Sequence, residues 1–273
     1  MSVHAQVPVA DGTPPRIEVR NPAGSVTVQA VEGLEQLEAW VEPLDDAAEQ
    51  LLDRVEVEVA DGGPDSPTRL RVAVPERRLL RTPAFAVRIT TPTDAAARIA
   101  VASADVELTG RLGALEVTGA SADLDVERGT DVRLRTASGD ARIGTVDGHG
   151  SIGSASGDVR VGRAQGPLKL RTASGDVSVE HSSGDVSVST ASGDVNVGGT
   201  TGGVVQVKTV SGDVSVGVAP GLRVWLDLSS VSGRMDSELA DDGTTGDGPP
   251  ALTLALRSVS GDMRIHRSTV PVS

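Results

Sequence analysis

Five aspartates recur at a nearly fixed interval: Asp140, Asp158, Asp176, Asp194 and Asp213 each follow a glycine and precede Ala or Val. A column of carboxylates is a candidate cation site, and calcium would want six to eight oxygens per ion. Calcium-binding nonapeptide rolls spell Gly-Gly-x-Gly-x-Asp. Here Gly and Asp are adjacent and the additional glycines are missing, so the spelling does not match. Unit charges about 5 Å apart repel by only ~1 kcal/mol in water, so such a column needs no ion. The expectation is a corner motif and no metal site: Gly supplies backbone freedom at a bend, and the Asp accepts from amides that the bend leaves unpaired. Two departures test this. Ala104 and Ala122 stand where Gly is expected, so either those corners are strained or they do not need a positive φ. Arg234 stands in the Asp position and, between Asp213 and Asp262 in the series, reads as a charge-balancing rung.

Other chemistry is sparse. Gly148-His149-Gly150-Ser151-Ile152-Gly153 matches G-x-G-x-x-G, but a dinucleotide site needs a helix next and another repeat follows instead. A serine nucleophile needs a base within reach. The histidines are His4, His149, His181 and His266, and the repeat sets His149 and His181 roughly 10 Å apart, on one type of corner, too far to share a metal or proton. Paired carboxylates would need a cleft, which a repeat face does not supply. The column Thr136, Thr172, Thr190 and Thr209 could face outward as an ice-binding row, although it is interrupted. No catalytic, cofactor-binding or metal-ligating residue is therefore assigned, and no cofactor is expected.

The elements behind these residues follow from the spacing. Nine corner triplets precede Val-x-Val-type runs, beginning at Ser103, Ser121, Ser138, Ser156, Ser174, Ser192, Ser211, Ser232 and Ser260. Their separations are 18, 17, 18, 18, 18, 19, 21 and 28. Midway lies a looser series at Gly113, Gly129, Gly148, Gly166, Gly184 and Gly203. Each half is nine residues, room for about five residues of strand and a tight corner. An antiparallel meander fits the unit, but nothing in it would make alternate turns alike. A solenoid stacks like corners in every coil and is favoured. Residues i and i+2 share a face, so Val177/Val179, Val186/Val188, Val195/Val197 and Val214/Val216 line the core.

The predicted fold is all-β: a β-solenoid (single-stranded, β-helix-like) of about eighteen-residue coils, two short strands per coil, with an N-terminal cap of β-strands and a short helix. Residues 1–15 read as a disordered tail, 16–98 as the capping region, 99–267 as the solenoid, 240–250 as a flexible insert and 268–273 as a tail. Asp45 and Asp46 open the short helix, placed within 43–54.

Composition agrees. There are 32 glycines, one Phe, no Tyr and 1% aromatics, which suits a thin interior of short side chains rather than an aromatic-packed enzyme core. A net charge of -13 opposes nucleic acid and anionic lipid, so neither nucleic acid nor direct membrane insertion is expected. Without cysteine there is no thiolate chemistry. No basic n-region with a continuous apolar run opens the chain, so a cytoplasmic location is the default expectation.

The opening Arg16-Ile17-Glu18-Val19-Arg20-Asn21-Pro22-Ala23-Gly24-Ser25-Val26-Thr27-Val28, the strand end Val72-Ala73-Val74-Pro75, the Thr-Ala-Ser-Gly-Asp-Val repeats and the closing Arg257-Ser258-Val259-Ser260-Gly261-Asp262-Met263-Arg264-Ile265 carry a resemblance. In that order, over about residues 16–267, the chain resembles the bacterial putative-adhesin, or toast-rack, β-strand-repeat domains of unknown function. The resemblance implies an elongated β-repeat domain with no catalytic residues to carry over, in proteins linked to the cell envelope or envelope-stress signalling. The leading functional expectation is a non-enzymatic scaffold or protein-interaction module with an unidentified protein partner. The alternatives are a surface adhesin or glycan binder, and a solenoid that self-associates through its ends into filaments.

Overall fold

A computed structural model describes residues 2–9, 13–63, 66–75, 82–239 and 249–268. The chain forms two compact units, Met1–Ala141 and Arg142–Ser273.

In the first unit, β1 (Val3–Pro8), β2 (Arg16–Val31), β3 (Gln36–Pro43), β4 (Glu56–Ala60), β5 (Arg69–Ala73), β6 (Phe85–Pro92), β7 (Ala96–Thr118) and β8 (Leu124–Ser138) follow in order. The alternation of Ile17, Val19, Val26 and Val28 with polar residues makes β2 a half-buried strand. It bends at Asn21-Pro22-Ala23-Gly24 without ending. Asn21 holds the bend: fully buried, its Nδ2 donates to the carbonyls of Ser25 (3.0 Å) and Phe85 (2.9 Å). On one side of β2, β5 runs parallel to its first half and β6 to its second. On the other side β7 runs parallel from Arg16↔Ala96 to Gln29↔Thr109, and β8 lies parallel to β7. The antiparallel strands lie outermost: β4 on β5, and β3 on β6 with β1 on β3. A one-turn helix α1 (Asp46–Glu49), N-capped by Asp45 Oδ1 accepting from the Ala48 amide at 2.7 Å, follows β3. A short 3-10 turn, Leu52–Arg54, comes next.

Two expectations are corrected here. Residues 3–8 are not tail: Val3, Ala5 and Val7 alternate, and the strand pairs with β3 from Val3↔Val41 to Pro8↔Gln36. Residues 1 and 10–12 lie outside the described residues. Parallel stacking also begins at Arg16 rather than at residue 99, because β2 makes its bend with a buried Asn instead of a Ser-Gly-Asp triplet. The antiparallel β1, β3 and β4 and the helix are the capping elements within 1–98, as expected in kind though not in extent.

β9 (Ala141–Val146) begins at the boundary and runs into the second unit, which contains β10 (Gly150–Ser156), β11 (Val159–Ala164), β12 (Leu168–Arg171), β13 (Val177–Ser182), β14 (Val186–Ser189), β15 (Val195–Thr200), β16 (Gly203–Lys208), β17 (Val214–Val218), β18 (Val224–Ser232), β19 (Met235–Ser237), β20 (Leu252–Ser260) and β21 (Met263–Arg267). These form the expected solenoid, two parallel strands per coil. One sheet stacks β10, β12, β14 and β16, and the other β11, β13, β15 and β17, always with the strand one coil on. Registers align the core in columns: Ile152, Leu170, Val188 and Val207 in one, Val161, Val179, Val197 and Val216 in the other. All eight are at most 2% exposed.

The last coils break sequence order. β16 pairs with β20 and β17 with β21, while β18 and β19 pair with the far sides of β20 and β21. Residues 252–267 therefore insert between the coil at 203–218 and the coil at 224–237. The 28-residue spacing between Ser232 and Ser260 gives the chain the length to double back. The inserted coil offers Leu252, Leu254, Leu256, Met263 and Ile265, all buried, whereas the coil at 224–237 places Ser237 against Ile265 in a core column. A polar residue there is tolerable only on a terminal rung. Of the expected insert, residues 240–248 lie outside the described residues. Of the expected C-terminal tail, Ser268 is buried and donates its amide to Val218 at 2.8 Å, and 269–273 lie outside the described residues.

The inverted order has a measurable consequence. Leu254→Ala should cost about 3 kcal/mol in urea denaturation, as expected for a fully buried leucine. Leu226→Ala, one rung outward and 36% exposed, should cost about 1 kcal/mol or less.

Candidate functional site

The strict corner is built by backbone contact between successive coils. Gly175 has φ +129°, and a Cβ there would lie 2.3 Å from the Gly157 carbonyl oxygen. Gly193 repeats this over Gly175 at 2.1 Å. Glycine is thus required both by conformation and by the approach of the coil beneath. The same approach sets each Asp carboxylate against the next rung's amide. In the second unit Asp158 Oδ1 accepts from the Asp176 N–H at 3.0 Å, Asp176 from Asp194 at 2.9 Å, Asp194 from Asp213 at 2.8 Å, Asp213 from Asp262 at 2.8 Å and Asp262 from Arg234 at 2.8 Å. The first unit holds a shorter series, Asp105 to Asp123 at 3.3 Å and Asp123 to Asp140 at 2.9 Å.

The Asp column is therefore brought together as a hydrogen-bonded staple, and among the described residues no group of three or more His, Asp or Glu is arranged to hold a metal ion. Arg234 is not flanked by two aspartates as its place in the series suggested. It is the last rung: its amide donates to Asp262, and among the described residues no coil lies beyond it to need a carboxylate. At Ala104 and Ala122 the backbone does not enter the positive-φ region, since Asp94 is the one non-glycine residue that does so among those described. Those corners bend differently and need no glycine.

Sequence reasoning missed two further staples. Asp185, at a loose corner, accepts from the Val204 amide at 2.9 Å, and Glu127 from the Gly110 amide at 2.7 Å. Asp185 had a signal, because Ser183-Gly184-Asp185 spells the strict triplet at a loose position. The threonine column turns inward instead of forming an outward row. Thr136, Thr172, Thr190 and Thr209 are 6–8% exposed, and the hydroxyls of Thr136, Thr172 and Thr209 donate to the carbonyls of Ser138, Ser174 and Ser211 at 2.9, 3.2 and 3.2 Å. Residues 150–153 of the G-x-G-x-x-G match open strand β10, with no helix to receive a phosphate. His149 is exposed before β10, and His181 lies within β13 opposite Arg163 and Gly199.

The departure from a polar surface lies at the terminal coil. Of the nine large exposed hydrophobic residues among those described, seven sit on the last three rungs: Val204, Val210, Val259, Trp225, Leu226, Val231 and Met235. The residue before the corner serine is alanine at 155, 173 and 191 but valine at 210, 259 and 231. These valines form one outward row beside the bridged corner serines. Val204 and Trp225 flank Thr253 in a second row of the same sheet. Two ion pairs fasten the terminal coil to its neighbour, Asp227–Arg257 at 3.5 Å and Glu238–Arg264 at 2.5 Å. The hydrogen bond from Arg264, and then its charge, hold the Glu238 carboxyl below its ordinary value. Whatever that exposed pair contributes is present above the ordinary carboxylate range and is lost as pH falls through the lowered value.

The family match agrees with this architecture. Residues 17–266 match the Toastrack DUF4097 family, and the chain belongs to that family. No curated protein matches. Similar solved structures include a putative lipid binding protein from Parabacteroides distasonis, at 12% identity over 97% of this chain and 96% of that one with TM-score 0.44. A putative adhesin from Bacteroides fragilis matches at 11% identity over 97% of each chain, TM-score 0.40. Another, from Parabacteroides distasonis, matches at 13% identity over 97% of each, TM-score 0.39. Among the described residues no helix is long and apolar enough to cross a membrane.

If the aspartates are staples, their loss should follow position and ignore metal. Asp194→Ala should lower stability by about 1 kcal/mol, and Arg234→Ala should stay within about 0.5 kcal/mol of wild type. Gly193→Ala should cost more than either, because both the backbone and the coil beneath resist it. Thermal melts with calcium or with chelator should superimpose.

Proposed function

We propose that this Toastrack chain is a non-enzymatic β-repeat scaffold that works as a protein-interaction module. The observation that carries the reading is the gathering of exposed apolar residues on the last three rungs of the second unit, on a molecule whose recurrent carboxylates are engaged by backbone amides. Repeat faces supply a rigid, flat presentation rather than a cleft. A contiguous exposed apolar row on such a face, here Val210, Val259 and Val231, marks an interaction site. The outward valines at 210, 259 and 231 add two methyl groups each over the alanines of the preceding rungs, where short polar surroundings would have kept the face solvated.

Crosslinking and pull-down with the full chain, compared with the double variant Val210→Ser, Val259→Ser, tests this. Both positions are solvent-facing, at 55% and 49% exposure, so the variant should keep the wild-type melting profile. The wild type should recover a defined partner that the variant loses. Recovery of the same material by both, or of nothing specific by either, would count against the reading.

A further inference from the structure

We propose that β18 is a dimerisation edge that pairs antiparallel with β18 of a second copy about a two-fold axis through Leu228. This rests on the interaction-module reading and names the partner.

The open edge is the first ground. Among the described residues β18 pairs with β20 alone and β19 with β21 alone. In a parallel ladder alternate residues point their amides and carbonyls at the one neighbour. The Arg223 carbonyl accepts from Leu252, so by alternation Trp225, Asp227 and Ser229 serve β20. Val224, Leu226, Leu228 and Ser230 then aim their backbone groups away from the stack. Such an edge is normally blunted by lysine, proline or a bulge. β18 spans nine residues with no lysine or proline, and its single charge, Asp227, is paired with Arg257. The first unit, by contrast, ends in antiparallel strands.

Self-complementarity is the second ground, and it selects the register. Full overlap of a strand running from 224 to 232 requires the axis at its centre, Leu228. Leu228 then meets Leu228 of the copy and Leu226 meets Ser230, while Val224 lies opposite Ser232, whose carbonyl stays with the Gly261 amide and ends the ladder there. On the outward face Trp225, 62% exposed, falls opposite Val231, 82% exposed, and the pair occurs twice. Asp227 faces Ser229. An axis one residue earlier would set Asp227 against its own copy, a like-charge pair directly opposed, and leave Val231 without a partner. The chosen register also continues the core columns of Leu226, exposed at the open edge, and half-buried Leu228. It joins the Val210–Val259–Val231 row of each copy to the other's Trp225. A rotation about the sheet normal keeps inward residues inward, so core meets core.

Sedimentation equilibrium on the full chain should show a monomer–dimer equilibrium that does not grow further. Trp225→Lys and Val231→Glu should each weaken it by roughly tenfold or more, since each disturbs two cross-strand pairs. Combined in one chain, the two substitutions place Lys opposite Glu twice and should restore the dimer. The chain has no cysteine, so Leu228→Cys introduces a single thiol. On oxidation it should give a covalent dimer, while Leu226→Cys, set opposite Ser230, should not. Both charged variants are at exposed positions and should melt as wild type, which keeps the test independent of folding. A concentration-independent monomer overturns the proposal, including one in which residues 240–248 of the same chain protect the β18 amides from exchange. So does a dimer indifferent to these substitutions, or a mass that rises without limit. A monomer that still captures a partner through Val210 and Val259 would leave the interaction-module reading standing and remove only the second copy.

Discussion

Backbone contact between successive coils at the strict corner governs the rest of the second unit. With the Gly157 carbonyl 2.3 Å from where a Gly175 Cβ would sit, a side chain is sterically excluded there. The close approach is also what carries each aspartate to its neighbour's amide. One contact thus fixes the glycine, gives the aspartate its partner and locks the register of the valine columns on either side. Like corners stack because any slip would set side chain against carbonyl, and a slip of one residue would turn the valines to solvent. The cost of the aligned charges is small in water, about 1 kcal/mol per neighbouring pair, and hydrogen bonds of similar size offset it.

A staple that reaches only to the next coil makes the two ends of a stack unequal. Every rung needs an acceptor if another rung follows, and the final rung needs none. Arg234 is the mark of that asymmetry: it retains the donating amide and dispenses with the carboxylate. Ser237 repeats the message in the core, where Ile265 and Val216 hold the same column one and two rungs inward. Asp227–Arg257 and Glu238–Arg264 then fasten the terminal coil from its two sheets. Each is solvent-exposed and modest on its own. Together with the β18–β20 ladder they hold in place a coil whose core side is only partly covered.

The repeat, its period and its core columns could be read from the sequence because one corner geometry recurs and period-two alternation assigns every valine a side. Legibility failed where the same shape is made by other means. At Ala23-Gly24-Ser25, beside the buried Asn21, the corner keeps its glycine at φ +109° but lacks the flanking Ser and Asp, which hid the first coil. The alternating Val3, Ala5 and Val7 stood next to a proline-rich stretch whose composition outweighed them. The insertion of 252–267 was missed because chain neighbours are usually neighbours in space, although Arg234 and Ser237 already disqualified their coil from an internal position. The threonines looked like an outward row, but a hydroxyl two residues from a corner carbonyl satisfies itself inward.

In such a molecule the consensus residues are consumed by the fold, so function has to be sought where the consensus is broken without structural need. Arg234 and Ser237 are breaks that the end of the stack explains. Val210, Val259 and Val231 are not, since alanine serves the same place at 155, 173 and 191, and no stacking contact calls for a larger side chain facing solvent. Trp225 is one of only two tryptophans in the chain and lies on the same edge strand as Val231. Scattered from 204 to 259 in sequence, these residues gather on three successive rungs, and the doubling back puts the 252–267 coil between the other two. A plain run of repeats in sequence order would leave the valines at 210 and 231 adjacent and the one at 259 on the final rung. The inversion keeps all three in one row while leaving at the edge the coil that carries Trp225. Selection for folding alone gives no reason to turn Trp225 and Val231 to solvent on the coil that, among the described residues, has no further coil beyond it, whereas the covering chain proposed above would give one.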